Sequence, residues 1–226
     1  MSKYNKLQKN YEEVHFDYPK EKLNIKYKNK FLEKEKADKY YKILSRRLNY
    51  NEDSKVFVGG KLQDIPRQQV AYGNPGTFYE FSGTKVLAKS WIINNSDDKN
   101  EQLVKKIILN IKEKVEEYTK KTFNFVLINS YEDGNQYIGY HKDDERNLVK
   151  DPDIVGVSLG AERDIQFKAD ETLNLEELSK IIEINLAHNS IICMNYPTNK
   201  YWKHSIPKRK KIKTQRISLT FRNMSV

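Results

Sequence analysis

The sequence contains a single cysteine, Cys193, among 226 residues. One thiol cannot form an internal disulfide, and it excludes a metal site built from several cysteines, so the composition favours a reducing compartment. The chain also lacks an apolar run of the roughly 18 residues that a membrane-spanning helix needs. Its first residues, MSKYNKLQKNYEEV, lack the apolar segment of a secretory signal. We therefore expect a soluble protein of the nucleus or cytoplasm with no membrane partner.

The chain is strongly basic. Lysine and arginine number 41 against 31 aspartate and glutamate residues, which gives a formal net charge of +10. Such an excess favours polyanionic partners, of which nucleic acid is the commonest, although a lysine-rich solvated surface has the same composition. The length suits one domain, which we expect to be monomeric. Residues 1–22 are polar with little periodicity and predict a flexible basic arm, and residues 23–226 the folded domain.

Helical periodicity is confined to the first half of the chain. Apolar residues recur on one helical face over residues 31–48 and 97–121. Between these segments, SKVFVGGKLQDIP alternates around Gly59 and Gly60, which predicts a hairpin. After Thr122 the chain changes to short runs rich in β-branched and aromatic residues: FNFVLINSY, YIGYH, IVGVSLG, RDIQFKA, IIEINLA, SIICMNY, YWKHSI and RISLTFR. Many short strands without βαβ alternation predict an antiparallel barrel or jelly roll with helices on one face.

A histidine and an acidic cluster stand together in YIGYHKDDE. The chain has only four histidines. His141 and Asp143 are two positions apart, so a regular strand would point both side chains the same way. His204, in YWKHSIP, could complete two imidazoles and a carboxylate, the facial set of non-haem Fe(II) oxygenases. A histidine at a strand end before a solvated acidic turn is the alternative.

Two arginines alternate with apolar residues in RISLTFR. Arg216 and Arg222 would share one face of a buried strand, where an unpaired guanidinium is costly. They therefore need anions. A dicarboxylate ligand would supply two, because the guanidinium fork matches a carboxylate. The alternative is pairing with the protein's own acidic residues.

These motifs together resemble the AlkB-like Fe(II)/2-oxoglutarate-dependent dioxygenases, in particular the branch that repairs alkylated double-stranded DNA. The resemblance covers roughly residues 66–222. It rests on PRQQVAYG, FSGT, FNFVLINSYEDGNQYIGYHKDDE, VSLGAERD, MNYPTNKYWKHSIP and RISLTFR, which occur in the family's order and spacing. It implies an α+β fold with a double-stranded β-helix (jelly-roll) core over residues 122–226, N-terminal helices on one face, and a nucleotide-recognition hairpin within residues 55–90.

The resemblance also implies the cofactors and the residues that hold them. Fe(II), 2-oxoglutarate and O2 would be required, with His141, Asp143 and His204 as the iron ligands. Ser218 departs from the family, which usually has asparagine there. The implied 2-oxoglutarate contacts are Asn129, Tyr131, Arg216, Ser218, Thr220 and Arg222.

The substrate side carries less specific signals. The family's hairpin finger falls at Phe57, but Gly59 stands at the expected wedge position. The basic run PKRKKIK, residues 207–213, predicts phosphate contacts near the mouth of the site, although a nuclear import signal or a solvated loop would have the same composition. The implied substrate contacts are Phe57, Arg67, Tyr72, Asp144, Glu145, Lys208, Arg209 and Lys210.

The sequence thus predicts an oxidative demethylase for N-alkylated bases in DNA, of the 1-methyladenine and 3-methylcytosine type, which releases formaldehyde, succinate and CO2. A ring-methylated base carries positive charge, which Asp144 and Glu145 could favour, and it must leave the stack to react. The same chemistry on RNA is one alternative. An inactive jelly-roll module that binds damaged nucleic acid is another.

Overall fold

The fold is rich in β-strands, with two large sheets and few helices. The structure, a computed structural model, describes residues 5–6, 12–50, 55–58, 61–81, 84–175 and 180–225. The helices are α1 (Lys34–Arg47), α2 (Lys99–Thr119) and α3 (Thr198–Tyr201). The strands are β1 (Asn5–Lys6), β2 (Glu13–Tyr18), β3 (Leu23–Lys28), β4 (Lys55–Val58), β5 (Lys61–Asp64), β6 (Gln68–Gly73), β7 (Phe78–Phe81), β8 (Thr84–Leu87), β9 (Lys89–Ser90), β10 (Phe125–Tyr131), β11 (Ile138–His141), β12 (Ile154–Gly160), β13 (Arg163–Ala169), β14 (Ile181–Leu186), β15 (Ser190–Met194), β16 (Trp202–Ile206) and β17 (Arg216–Arg222).

The strands assemble into two main sheets. The larger has the order β2-β3-β15-β12-β17-β10-β6-β9, and the smaller has the order β1-β14-β13-β16-β11. All eight strand-like runs predicted after Thr122 form strands, β10 to β17. Buried residues of both sheets, such as Ile192 and Met194 from the larger and Phe167 and Trp202 from the smaller, form one apolar cluster. The two sheets therefore face each other, in agreement with a jelly-roll core.

The two long helices cover the outer face of the larger sheet. Both lie within the predicted segments, and α2 begins after Asp98, whose carboxylate accepts hydrogen bonds from the backbone N–H groups of Asn100 and Glu101. Buried residues of the helices, including Leu44 and Ile108, pack in one cluster with Leu219 of the sheet. No helix in the described part of the chain is long and apolar enough to cross a membrane.

The predicted flexible arm is wrong for residues 13–18. These residues form β2, which pairs antiparallel with β3 at the edge of the larger sheet. The reason is a period of two, with Val14, Phe16 and Tyr18 in alternate positions, which the surrounding charges obscure. Phe16 is buried.

The hairpin predicted around Gly59 and Gly60 is present as two paired strands. β4 and β5 are antiparallel, with Val58 opposite Lys61. Gly59 and Gly60 lie outside the described residues, and so does the side chain of Phe57. The role expected for Phe57 as a finger therefore stays a prediction.

Candidate active site

Three side chains converge at one end of the smaller sheet. β11 and β16 pair so that His141 lies opposite His204, with ring centroids 4.3 Å apart. β11 ends at His141, and Asp143 follows in the next segment. Asp143 Oδ1 lies 3.6 Å from His141 Nε2, and Asp143 Oδ2 lies 3.9 Å from His204 Nε2. One ligand atom from each residue falls within 4.8 Å of the others. Two nitrogens and one oxygen thus converge as in a facial metal triad.

The protonation states suit a divalent metal ion. Burial, with His141 nearby, lowers the pKa of His204 to about 3, so its imidazole is neutral at neutral pH. Burial acts to raise the pKa of Asp143, but the Arg222 guanidinium and the adjacent His141 ring lower it below its ordinary value. Asp143 is therefore an ionised carboxylate. Metal ligands must be deprotonated in this way.

Two further observations fit the metal. His141 Nδ1 lies 2.9 Å from the carbonyl oxygen of Gly139, which can only accept, so Nδ1 donates and Nε2 is the ring nitrogen turned towards Asp143. Asp143 Oδ2 is buried, yet it has no hydrogen-bond partner among the described residues. A buried carboxylate oxygen without a donor is costly unless a cation satisfies it.

The two arginines of β17 differ in their partners. Arg222 forms an ion pair with Asp143, with Nη2 2.9 Å from Oδ1, and its Nη1 donates to Glu145 Oε1. Burial acts to lower the pKa of Arg222, but the two carboxylates raise it above its ordinary value. For Arg222, the alternative of pairing within the protein is therefore the one observed.

Arg216 lacks such a counter-charge. It is 2% exposed, and its Nη2 donates to Ser158 Oγ at 2.9 Å and, at 3.3 Å, to Ser218 Oγ. Its Nε and Nη1 atoms have no hydrogen-bond partner, and no carboxylate pairs with it within the described residues. Burial lowers the pKa of Arg216 to about 10, so it remains charged at neutral pH. A buried cation with two unsatisfied donors is suited to bind an anion.

One pocket between the sheets joins these groups. It encloses about 830 Å³, including the part open to solvent. Most of the predicted metal, cosubstrate and base contacts line it: Arg67, Asn129, Tyr131, His141, Asp143, Glu145, His204, Arg216, Ser218, Thr220 and Arg222. Arg67 Nε donates to Asn129 Oδ1 at 3.0 Å. This hydrogen bond connects a predicted substrate contact, Arg67, with a predicted 2-oxoglutarate contact, Asn129.

Tyr72 is a correction to the predicted substrate contacts. It is fully buried in the cluster between the larger sheet and the helices, and its hydroxyl donates to Glu101 of α2. Alternate residues of β6 face opposite sides of the sheet, so Gln69 lines the pocket while Tyr72 points to the helices. Sequence reasoning missed Gln69, together with Tyr79, whose hydroxyl accepts from the Gln69 amide.

The two acidic residues that follow the metal motif, Asp144 and Glu145, differ in their exposure and in whether they line the pocket. Asp144 is exposed and does not line the pocket, so its predicted contact with the base is not supported by its position. Glu145 is buried in the wall of the pocket, where its Oε1 pairs with Arg222. Its Oε2 is buried without a hydrogen-bond partner in the described part of the chain. Strand alternation does not extend past His141, so the sequence could not distinguish the two residues.

Arg209 is a further correction, within the basic run. Its side chain is half-buried and pairs with Asp164 at 2.6 Å and Glu183 at 2.8 Å, so two carboxylates already neutralise it. Lys208 and Lys210 are exposed, as the predicted phosphate contacts require.

Comparisons with known proteins agree with this geometry. The family model described as the 2OG-Fe(II) oxygenase superfamily matches residues 24–222. The chain is 37% identical over 195 residues to the DNA oxidative demethylase ALKBH2 of Mus musculus, covering 84% of this chain and 76% of that protein. The ALKBH2 of Homo sapiens is also 37% identical over 195 residues, covering 84% of this chain and 70% of that protein.

A solved structure supports the fold alone. The structure of OsALKBH1 superposes with a TM-score of 0.56 at 14% identity, covering 93% of this chain and 100% of that chain. The family match spans most of the residues described above, including the three candidate metal ligands and both arginines of β17. This chain belongs to the 2OG-Fe(II) oxygenase superfamily.

Proposed function

We propose that the protein is an Fe(II)- and 2-oxoglutarate-dependent oxidative demethylase that removes N-alkyl groups of the 1-methyladenine and 3-methylcytosine type from DNA. The observation that carries the proposal is one pocket lined by both the His-Asp-His triad and a buried arginine, Arg216, that has no carboxylate partner in the described part of the chain. Relatives named DNA oxidative demethylase support the substrate. An inactive binding module would have no need of a metal face beside an unpaired buried cation.

Each group of residues has a separate task in this proposal. His141, Asp143 and His204 would hold Fe(II), which, together with 2-oxoglutarate and O2, supplies the oxidising power for hydroxylation of the N-alkyl carbon. The hydroxylated methyl group then leaves as formaldehyde. Arg216 binds a 2-oxoglutarate carboxylate, and Arg222 fixes the orientation of Asp143 through their ion pair. The remaining polar residues of that wall orient the cosubstrate: Asn129, Tyr131, Ser218 and Thr220.

The base is proposed to contact Glu145 and the polar wall near Arg67. Glu145 lines the pocket and is anchored through one oxygen, while its other oxygen is buried without a hydrogen-bond partner among the described residues. A buried carboxylate oxygen can accept from an exocyclic amino group and favours a cationic methylated ring. Gln69 and Tyr79 add hydrogen-bonding groups and an aromatic ring to the same pocket. These contacts suit a base that has left the stack.

Several finer expectations belong to the same proposal. A jelly-roll core agrees with the two facing sheets. A single dioxygenase domain is supported by the family match across residues 24–222. A monomer in the nucleus or cytoplasm remains our expectation from chain length and the lone, buried Cys193.

Demethylation itself is the direct test. We expect the protein with Fe(II), ascorbate and 2-oxoglutarate to remove 1-methyladenine or 3-methylcytosine from DNA oligonucleotides, as measured by mass spectrometry of the digested bases. Single- and double-stranded DNA and RNA are tested in parallel, with 2-oxoglutarate omitted as the control. No loss from any strand would sink the proposal, whereas loss from RNA alone would replace DNA as the substrate.

The basic loop, defined as residues 207–213, is proposed to bind phosphates beside the pocket. Its backbone is held in place, since Arg209 N–H donates to Gly134 at 2.7 Å and Gly134 N–H donates to Ile212 at 2.9 Å. A side chain at Gly134 would lie 1.7 Å from the Arg209 carbonyl oxygen, so this close approach requires glycine. Exposed lysines thus project from an ordered loop: Lys208, Lys210, Lys211 and Lys213.

Removal of three of these lysines should weaken binding and its salt dependence together. Replacing Lys208, Lys210 and Lys211 with alanine is expected to raise the KM for DNA and to reduce the slope of log KM against log salt by about 2–3, since each phosphate contact contributes ~0.7–0.9. Replacing exposed Lys36, Lys39 and Lys106 of α1 and α2 gives the matched change in charge on the helical face. Equal slopes for the two triple variants would return the loop to an ordinary solvated surface.

A further inference from the structure

Asp143 is held by a buried side chain that the metal motif does not contain. Its backbone N–H donates to Asn199 Oδ1 at 3.0 Å, and Asn199 Nδ2 donates to the Asp143 carbonyl oxygen at 2.7 Å. β11 has already ended at His141, so the described ladder does not continue to Asp143. The Asn199 carboxamide therefore takes the place of a neighbouring strand. It offers one donor and one acceptor to the same residue, which few side chains can do.

Asn199 is in turn fixed to the larger sheet. It lies in α3 next to Thr198, which is fully buried. Thr198 Oγ1 accepts from the backbone N–H of Asn24 at 2.7 Å and donates to the Asn24 carbonyl oxygen at 2.9 Å. Asn195, before the helix, donates through its side chain to Asn24 Oδ1 at 2.8 Å. The position of Asn199 is thus set by β3, in the opposite sheet.

The same short helix leads directly into β16, which carries His204. Asn199 therefore links the segment that bears Asp143 to the strand that bears His204. A carboxylate that must share a metal ion with two imidazoles needs a fixed backbone, because errors of a fraction of an ångström weaken a metal site. Asp143 has no other contact that fixes both its N–H and its C=O among the described residues.

We infer that Asn199 is a positioning residue for the metal site: its carboxamide clamps the backbone of Asp143 so that the carboxylate faces His141 and His204. The inference rests on the metal site of the proposed function. It predicts a loss of metal affinity from a residue that touches neither metal nor substrate. Loss of such an outer partner typically costs about 10–100-fold in affinity.

The test is metal binding by the full-length protein, with Mn(II) as the probe and no 2-oxoglutarate. Asn199→Asp keeps the acceptor and loses the donor to the Asp143 carbonyl, and we expect Mn(II) to bind about 10–100-fold more weakly. On charge alone the new carboxylate would tighten binding of a cation. Weaker Mn(II) binding by Asn199→Asp would therefore show that Asp143 has lost its correct position, since the added charge acts in the opposite direction. Asn199→Ala, which adds no charge, should weaken binding in the same range.

A matched control exists on the other side of the larger sheet. Asn189 makes the same two-bond clamp on Leu32, accepting from its N–H at 2.9 Å and donating to its C=O at 2.7 Å. Asn189→Asp should lower the melting temperature but leave the Mn(II) Kd unchanged. Binding within twofold of wild type in both Asn199 variants, or loss of the fold in both, would overturn the inference. Absence of Mn(II) binding by the wild-type protein would instead overturn the metal site and the proposed function with it.

Discussion

Replacing Asp143 with alanine is expected to abolish demethylation and to reduce Mn(II) affinity by more than the ~10–100-fold that loss of an outer partner costs. The carboxylate is the only acidic member of the triad, and its two oxygens face the two imidazoles. Without it, only the two imidazole rings of the triad remain to hold a divalent cation, and the triad loses its one acidic ligand. Oxidation of the cosubstrate in the presence of DNA, followed as succinate release, should fall to the level of protein-free controls.

Asp144→Ala is the control for this variant. It removes the same functional group from the adjacent position, but Asp144 is exposed and does not line the pocket. We expect its Mn(II) affinity to stay within about twofold of wild type. Asp143→Ala should also remain folded, since Arg222 keeps Glu145 as a partner. Retained turnover in Asp143→Ala would rule Asp143 out as a required ligand.

Replacing Arg216 with methionine is expected to have opposite effects on function and stability. The KM for 2-oxoglutarate should rise about 10–150-fold, because a charge-assisted hydrogen-bonded pair with a carboxylate is worth roughly 1.5–3 kcal/mol. The protein without cosubstrate should become more stable by about 1 kcal/mol or more, since a buried guanidinium without a counter-charge is replaced by an apolar chain of similar size. That change corresponds to a rise of roughly 2–4 °C in Tm.

Arg163→Met is the control that distinguishes the loss of an anion-binding arginine from the loss of any buried arginine. Arg163 is as buried as Arg216, but its guanidinium donates to the carbonyl oxygens of Asp133, Gln136 and Pro207. Its replacement should lower the Tm, because three buried carbonyl groups lose their donor. The KM for 2-oxoglutarate should change little. A fall in the Tm of Arg216→Met, or an unchanged KM, would show that Arg216 serves packing instead of anion binding.

The local motifs were sufficient to predict the metal site, and tertiary contacts assigned the partners of the basic residues. The triad is implied by the resemblance of the segments around His141, Asp143 and His204 to a known family, although His204 is distant in the chain and β11 ends before Asp143. Arg216 and Arg222 look alike in RISLTFR. Only folding shows that Glu145, 77 residues away from Arg222, neutralises that arginine, while Arg216 has no carboxylate partner among the described residues.

The misplaced residues have similar causes. β6 is buried on both faces, so the run QVAY shows no alternation and gives no sign that Tyr72 faces the helices. Arg209 is one of five basic residues in PKRKKIK, and only the approach of β13 and β14 identifies it as the paired one. Neighbouring charges hid the alternation of β2. In each case the deciding contact comes from an element that is distant in the chain, a helix for Tyr72 and neighbouring strands for Arg209 and β2.

The sequence by itself predicted a strand-rich core after two helices, because periodicity is set within a few residues of the chain, and its motifs predicted the chemistry and the candidate metal ligands through their resemblance to a known family. The tertiary structure alone decided which arginine lacks a carboxylate partner among the described residues, which acidic residue lines the pocket and which side chain hydrogen-bonds to the backbone of Asp143. Asn199 lies 56 residues from Asp143, and an asparagine in a polar segment carries no sign of its partner. The free-energy cost of burying a polar group depends on its hydrogen-bond or ionic partner. That partner is defined only by the packing of the two sheets.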